Sequence, residues 1–394
     1  LADDARTVIL KPREDKRIRS GHLWIFSNEI ASVEGTVDTG DSVLVRDARG
    51  HLLGTGYMNS HSLIAVRLVS RSKVELKREF LARRIAAALE YRERIRPGET
   101  AYRAVSSDAD LLPGLVVDRY GDVLAVQSLT AGIERRLDDL VAVLIDLLSP
   151  RAIVLRNDSP MRKYEGLPIE TRLAHGKVDE PVSIEQDGHR FLVDVVDGQK
   201  TGFFLDQRDN RRATGALAEG ADTLDCCSYT CAWSVYAAAG GAKSITAIDD
   251  SASALALGRR NLEINRAFDR ADLVKGDVFK ELAKLSRGSR RFGLVILDPP
   301  AFAKSRKRVR EALKAYRTVN RMAVSVTRPG GHLVTSRCSH LVDREAFMNA
   351  LVGAAREAGR RARVIEVRGQ APDHPVVLGF PETDYLACVV LEVL

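Results

Sequence analysis

Between Val8 and Leu68, apolar and polar residues trade places in short runs separated by Gly and Asp. Val8 to Leu10, Ser42 to Arg46, Leu52 to Tyr57 and Leu63 to Leu68 read as strands, with one helical candidate around Arg13 to Ile18. The pattern predicts a small barrel-like domain. From Glu75 to Arg94, apolar residues at Phe80, Ile85, Ala88 and Leu89 lie among charges, the spacing of an amphipathic linking helix that ends at Arg96-Pro-Gly-Glu99. Gly114 to Asp118 and Val123 to Ser128 form a hairpin around Tyr120-Gly-Asp122. A helix from Ile133 to Leu148 and a strand from Ala152 to Leu155 follow, giving a middle α/β segment to about residue 185.

Beyond Phe191 to Val196 the pattern changes to strands alternating with helices, which predicts a parallel sheet. The strands are Thr223 to Cys226, Ser244 to Asp249, Asp272 to Lys275, Leu294 to Leu297 and His332 to Ser336. The helices are Trp233 to Ala239, Ser253 to Asn265 and Lys307 to Thr327. A doubly wound sheet binds ligands at the carboxyl ends of its strands, so the residues after each strand are the place to seek chemistry. The first strand runs into Asp225, and the second ends in Asp249, 24 positions later, where a carboxylate accepts from both hydroxyls of a ribose. Asp277 follows the third strand, placed to receive an adenine amine while Val278 and its neighbours sandwich the ring. With no G-x-G-x-x-G loop for a pyrophosphate, the three carboxylates point to S-adenosylmethionine rather than a dinucleotide. A second reading has each aspartate capping the helix that follows it.

The fourth strand ends in Asp298-Pro-Pro-Ala-Phe302. Two prolines continue neither ladder nor helix, so they fix a rigid loop that holds Asp298 against a bound base. The same loop suits an amino-group methyltransferase that clamps a flipped base. After the fifth strand comes Arg337-Cys-Ser-His340. A thiol at the ligand edge, flanked by two residues able to carry positive charge, is the group needed for carbon methylation of a pyrimidine. Sulfur adds to C6 of cytosine, electron density moves to C5, and a base then removes the C5 proton.

The 394 residues suggest two or three domains. Apolar residues at 45% and charged residues at 29% exclude a chain dominated by disorder. The uncharged stretch Cys226 to Ala242 is studded with Ser, Thr and Gly, so no membrane span is expected. Asp3, Asp4 and Arg6 stand where an apolar h-region would begin, so no signal peptide is expected either. Five cysteines without a regular framework fit a reducing cytoplasm. The pair Cys227 and Cys231 lacks partners for a metal site, so no metal is expected. The net charge of +7 is concentrated: Lys304, Arg306, Lys307, Arg308, Arg310, Lys314, Arg317 and Arg321 face one acid, Glu311. Such a block is a solvated helix face or a grip on a phosphate backbone.

Several motifs together resemble a known family. Gly198-Gln-Lys-Thr-Gly-Phe-Phe-Leu-Asp-Gln-Arg-Asp-Asn-Arg211, Ser228-Tyr-Thr230, Asp298-Pro-Pro-Ala-Phe-Ala-Lys-Ser305, Arg337-Cys-Ser-His340 and Asp373-His-Pro375 resemble the ribosomal RNA large-subunit methyltransferase I family of cytosine-5 methyltransferases. Gly21-His-Leu-Trp-Ile-Phe26 and Gly40 to Arg46 look like its PUA domain, and Leu112 to Arg119 like its middle domain. The resemblance implies an α/β chain made of a PUA barrel (residues 1–72), a central α/β domain (73–185) and a Rossmann-like methyltransferase domain (186–394). It also implies a cytoplasmic homodimer that methylates one cytosine of large-subunit rRNA. Cys338 takes the position of the nucleophile and Asp298 that of the base-contacting carboxylate. The implied cofactor residues are Asp225, Ser228, Tyr229, Thr230, Asp249, Asp277, Val278, Phe203, Gln207 and Arg208. RNA contacts are expected at Lys304, Arg306, Lys307 and Arg308, with Trp24 as a stacking platform.

The chain departs from the family where Cys231 and Ala232 replace the glycines that usually follow Ser-Tyr-Thr, so a Cβ stands where the backbone is expected to approach the cofactor. Ala301 stands where related two-cysteine enzymes carry a helper thiol. The residues also leave open an amino-group or guanine methyltransferase on the same scaffold, and a non-catalytic rRNA-binding assembly factor.

Overall fold

The computed structural model describes residues 6–178, 181–303 and 305–394. The chain divides into two compact units. The first runs to Ile184 and takes in Val193–Leu205 and Pro372–Thr383. The second comprises Glu185–Leu192, Asp206–Ala371 and Asp384–Leu394.

The first unit opens with β1 (Thr7–Leu10), α1 (Lys16–Arg19), β2 (Trp24–Phe26), β3 (Ile30–Glu34), β4 (Ser42–Arg46), β5 (Leu52–Met58) and β6 (Ile64–Ser70). These strands make one sheet in the order β2-β6-β5-β4-β1-β3. Only β1 and β4 run parallel; the other pairings are antiparallel. Val8, Leu10, Ile25, Val43, Val66 and Leu68 form its core, as the alternation along these strands requires.

The same unit continues with α2 (Arg78–Ile95), β7 (Ala101–Ser106), β8 (Leu115–Tyr120), β9 (Val123–Ser128), α3 (Ala131–Glu134), α4 (Leu137–Leu148), β10 (Ala152–Asn157) and β11 (Glu170–Gly176). The strand order is β11-β10-β9-β8-β7, with β9 and β10 parallel across the α3–α4 crossover. Phe80 and Ile85 of α2 and Leu140 and Leu144 of α4 bury the apolar face of this sheet. A hairpin of β12 (Val182–Gln186) and β13 (His189–Val193) follows.

The second unit holds α5 (Arg208–Gly215), β14 (Asp222–Cys226), α6 (Ala232–Ala239), β15 (Ser244–Asp249), α7 (Ala252–Ile264), β16 (Ala271–Lys275) and α8 (Val278–Arg287). It continues with β17 (Phe292–Leu297), α9 (Val309–Val326), β18 (Thr327–Cys338), α10 (Arg344–Glu357), β19 (Ala362–Arg368) and β20 (Leu386–Val393). The seven strands lie in the order β16-β15-β14-β17-β18-β20-β19. Those from β16 to β18 are parallel, and β20 runs antiparallel to both neighbours. Every residue of β17 is buried, as expected for a central parallel strand covered on both faces. The five strands predicted in this region are all present. β18 is longer than expected, and β19 and β20 were not among the predicted strands. Among the described residues no helix is long and apolar enough to cross a membrane.

The segment Pro372–Thr383 is fastened to the first unit by Arg92. This side chain is fully buried on α2. It donates to the Asp110 carboxylate at 2.6 Å, to the Arg103 carbonyl at 2.9 Å and to the Asp373 carbonyl at 2.8 Å. Asp373 in turn accepts from the Arg103 backbone N–H at 2.9 Å. Removing one partner of a buried ion pair leaves the other charge uncompensated. Arg92→Met is therefore expected to destabilise the protein by about 3–5 kcal/mol, read as a lower denaturant midpoint in equilibrium unfolding; an unchanged midpoint would show that the pair adds nothing.

Candidate active site

The carboxyl ends of β14, β15, β17 and β18 lie side by side in the second unit, and the residues with chemical potential cluster there. After Cys226 the chain turns sharply through Cys227, Tyr229 and Cys231, at φ values of +61°, +47° and +60°. None of the three is glycine, and each left-handed residue with a Cβ costs on the order of 1 kcal/mol. Asp249, at the tip of β15, supports the turn: one carboxylate oxygen accepts from the Tyr229 N–H at 2.9 Å and the other from the Ser251 N–H at 3.0 Å.

Cys231 sits at the start of α6 with its side chain fully buried. The space it occupies exists because α7 has glycine opposite. A Cβ on Gly258 would lie 2.6 Å from Cys231 Sγ and 3.2 Å from the Thr230 carbonyl carbon. The departure noted in the sequence is thus accommodated by a small residue on the neighbouring helix. Gly258→Ala is expected to cost about 1–3 kcal/mol through overpacking, and most of that cost should vanish when Cys231→Gly is added. Unfolding of the two single variants and the double variant checks this, since additive effects would exclude the contact.

Three buried oxygens on this loop have no hydrogen-bond partner among the described residues: Asp225 Oδ1, Ser228 Oγ and Thr230 Oγ1. The other Asp225 oxygen accepts from Ser234 Oγ at 2.6 Å. Burial, with the carboxylates of Asp298 and Asp249 adding to it, pushes the Asp225 carboxyl up to about 7. A cluster of unmet acceptors beside an acidic strand end fits a cofactor that brings a cation and hydroxyl donors.

Asp298 is held from both sides. Gln207 Nε2 donates to one oxygen at 2.9 Å and the Trp233 indole N–H to the other at 3.0 Å. Gln207 Nε2 also reaches Ser336 Oγ on β18 at 3.2 Å. The two prolines bring the following loop against the strand that carries the thiol. Cys338 Sγ lies 3.5 Å from the Pro299 carbonyl, and Ser339 Oγ 3.5 Å from that of Ala303. Cys338 is half-buried.

The remaining predicted residues fall as follows. Asp277 is exposed and caps α8, accepting from the Lys280 N–H at 2.9 Å, while Val278 is half-buried behind it. Arg208 is buried and bound to Asp187 at 2.7 Å. Phe203 belongs to the first unit, where its N–H donates to the Tyr120 hydroxyl at 3.2 Å. Trp24, also in the first unit, donates through its indole N–H to Asp108 at 2.7 Å and packs edge-on to Phe380. Arg306, Lys307 and Arg308 form an exposed turn leading into α9; Lys304 lies outside the described residues. Sequence reasoning missed Trp233 as a partner of Asp298, and the only signal was its position in the first turn after the cofactor loop.

A parallel sheet with this acidic, donor-seeking edge defines an S-adenosylmethionine-dependent methyltransferase. Residues 156–383 match the family model of that description, and residues 8–71 match a PUA-like domain. The chain is 40% identical to the ribosomal RNA large subunit methyltransferase I of Shewanella amazonensis, covering 98% of each chain. It is 38% identical to that of Alteromonas mediterranea with the same coverage. It belongs to the ribosomal RNA large subunit methyltransferase I family. The fold is also that of a crystal structure described as a methyltransferase complexed with SAH: the TM-score is 0.86 at 22% identity, over 98% of this chain and 99% of that one. The cofactor is S-adenosylmethionine.

The ionisation of Asp225 is itself open to test. A carboxyl raised from its usual value of about 4 to about 7 holds its proton in the folded state where the unfolded state has lost it. Stability therefore falls as pH rises through that window. The melting temperature of the cofactor-free protein should decline over that range, and Asp225→Asn should flatten the decline. Identical profiles for the two proteins would remove Asp225 as its source.

Proposed function

We propose that this protein makes 5-methylcytosine in large-subunit rRNA. The observation that carries the reading is the packing of Cys338 against the Asp298-Pro-Pro loop, which puts a nucleophilic sulfur and a fixed carboxylate at adjacent strand ends. When bound, S-adenosylmethionine supplies the electrophilic methyl group. The orphaned oxygens of Asp225, Ser228 and Thr230 are the groups that would hold its methionine end, and Asp249, at the tip of the neighbouring strand, would take its ribose.

The chain's own residues do the rest. Asp298 is fixed by Gln207 and Trp233 and would orient the cytosine through its exocyclic amine. Cys338 adds to C6, and the sulfur leaves again when C5 has lost its proton. The exposed turn at Arg306, Lys307 and Arg308 precedes α9, beside the loop that carries Asp298, and supplies positive charge for phosphates around an extruded base. The PUA-like domain and the rRNA substrate named for the relatives support RNA as the target.

Incubation with labelled cofactor and total rRNA, followed by nucleoside identification, should yield 5-methylcytosine. Cys338→Ala should lose that product while still binding cofactor in calorimetry. A methylated amino group or guanine as the product, or full activity in the alanine variant, would refute the proposal.

A further inference from the structure

In the motif that runs from Gly198 to Arg211, Asn210 lies three residues after Gln207. That spacing brings the two side chains to one side of the first turn of α5, and both are only 2% exposed. Their amides meet directly, Asn210 Nδ2 donating to Gln207 Oε1 at 2.6 Å.

The roles within this pair are fixed from outside it. A guanidinium only donates, and Arg368 Nε, at the end of β19, reaches Asn210 Oδ1 at 3.1 Å. A main-chain carbonyl only accepts, and that of Gly369 takes a bond from Asn210 Nδ2 at 3.0 Å. Arg368 is itself held through Nη1 by Glu366 at 2.5 Å. Asn210 therefore has one favourable orientation, in which its second Nδ2 proton points to Gln207. Gln207 must then turn its oxygen to Asn210 and its nitrogen to the strand ends, where Nε2 donates to Asp298 at 2.9 Å and to Ser336 Oγ at 3.2 Å. Reversing the Gln207 amide would set donor against donor at Asn210 and acceptor against acceptor at Asp298. Between side chains this buried, solvent relieves neither mismatch.

We propose that Asn210 is a positioning residue for methyl transfer: it sets the direction of the Gln207 amide, which then presents a donor to Asp298 where a reversed amide would present an oxygen. The inference rests on the reading of Asp298 as the carboxylate that meets the target base. Asn210 acts only through Gln207, and Arg368 and Gly369 anchor its far end. The chain of contacts runs from the outer strand β19 through α5 to the end of β17.

The test is a double-mutant cycle on the full chain, read as single-turnover methyl transfer to total rRNA at saturating cofactor, with cofactor calorimetry and melting alongside. Asn210→Asp keeps the shape and the acceptor for Arg368 but offers Gln207 an oxygen in place of a donor, so the amide turns over. Transfer should fall about tenfold, the worth of one hydrogen bond to a charged group, while cofactor affinity stays unchanged. Gln207→Met should lose about as much, and the double variant should be no slower than Gln207→Met alone. Asn210→Ala, which brings no new charge and carries the cycle where the aspartate variant does not fold, should likewise slow transfer only while Gln207 is present. Wild-type transfer by both Asn210 variants, or losses that multiply with that of Gln207→Met, would overturn the proposal. Full transfer by Asp298→Ala would instead overturn the reading of Asp298 on which it rests.

Discussion

A single side-chain amide spans the two chemical centres of the second unit. Gln207 gives both of its N–H bonds, one to Asp298 at the end of β17 and one to Ser336 on β18, while its oxygen accepts from Asn210 at 2.6 Å. All of its hydrogen-bonding groups are engaged, so the amide cannot rotate without breaking the network. It fixes the spacing between the Asp298 carboxylate and the strand that carries Cys338 two residues further on. With the Trp233 indole on the other oxygen, Asp298 is restrained by two neutral donors. These two donors fix the orientation of the carboxylate.

The cofactor loop is built against local preference. Three non-glycine residues take left-handed conformations within five positions. The turn persists because Asp249 accepts from the Tyr229 amide and because Gly258 leaves room for the Cys231 side chain. Strain of this kind is held where the surroundings over-determine the backbone, and it commonly collects at functional sites. The residue that compensates for Cys231 is 27 positions away in the chain; the substitution and its accommodation make sense only as a pair.

Much of the second unit was legible in the sequence because parallel strands are short apolar runs ending in polar residues. Ser244–Asp249 was predicted with the bounds observed. β20 was missed although its run Leu386–Val393 is mostly apolar, since no helix precedes it to complete the β–α alternation. The assignment of Val193–Leu205 and Pro372–Thr383 to the first unit was not legible, because it follows from contacts such as Arg92 with Asp373, 281 positions apart. Asp298 and Cys338 were found from their place after strands. Trp233 was not, because an aromatic residue on a buried helix face looks like core until its polar atom is located. In α9 the charged run also drew the reading to the exposed side, while Tyr316, Val319 and Ala323 line the other.

The five thiols do not share one environment. Burial pushes the thiols of Cys226, Cys227 and Cys231 well up, and that of Cys388 up to about 12, so their thiolate forms are suppressed at neutral pH. Nearby carboxylates reinforce this for the three cysteines of the cofactor loop. Cys338 occupies a different setting: a half-buried strand tip with the Pro299 carbonyl 3.5 Å from its sulfur.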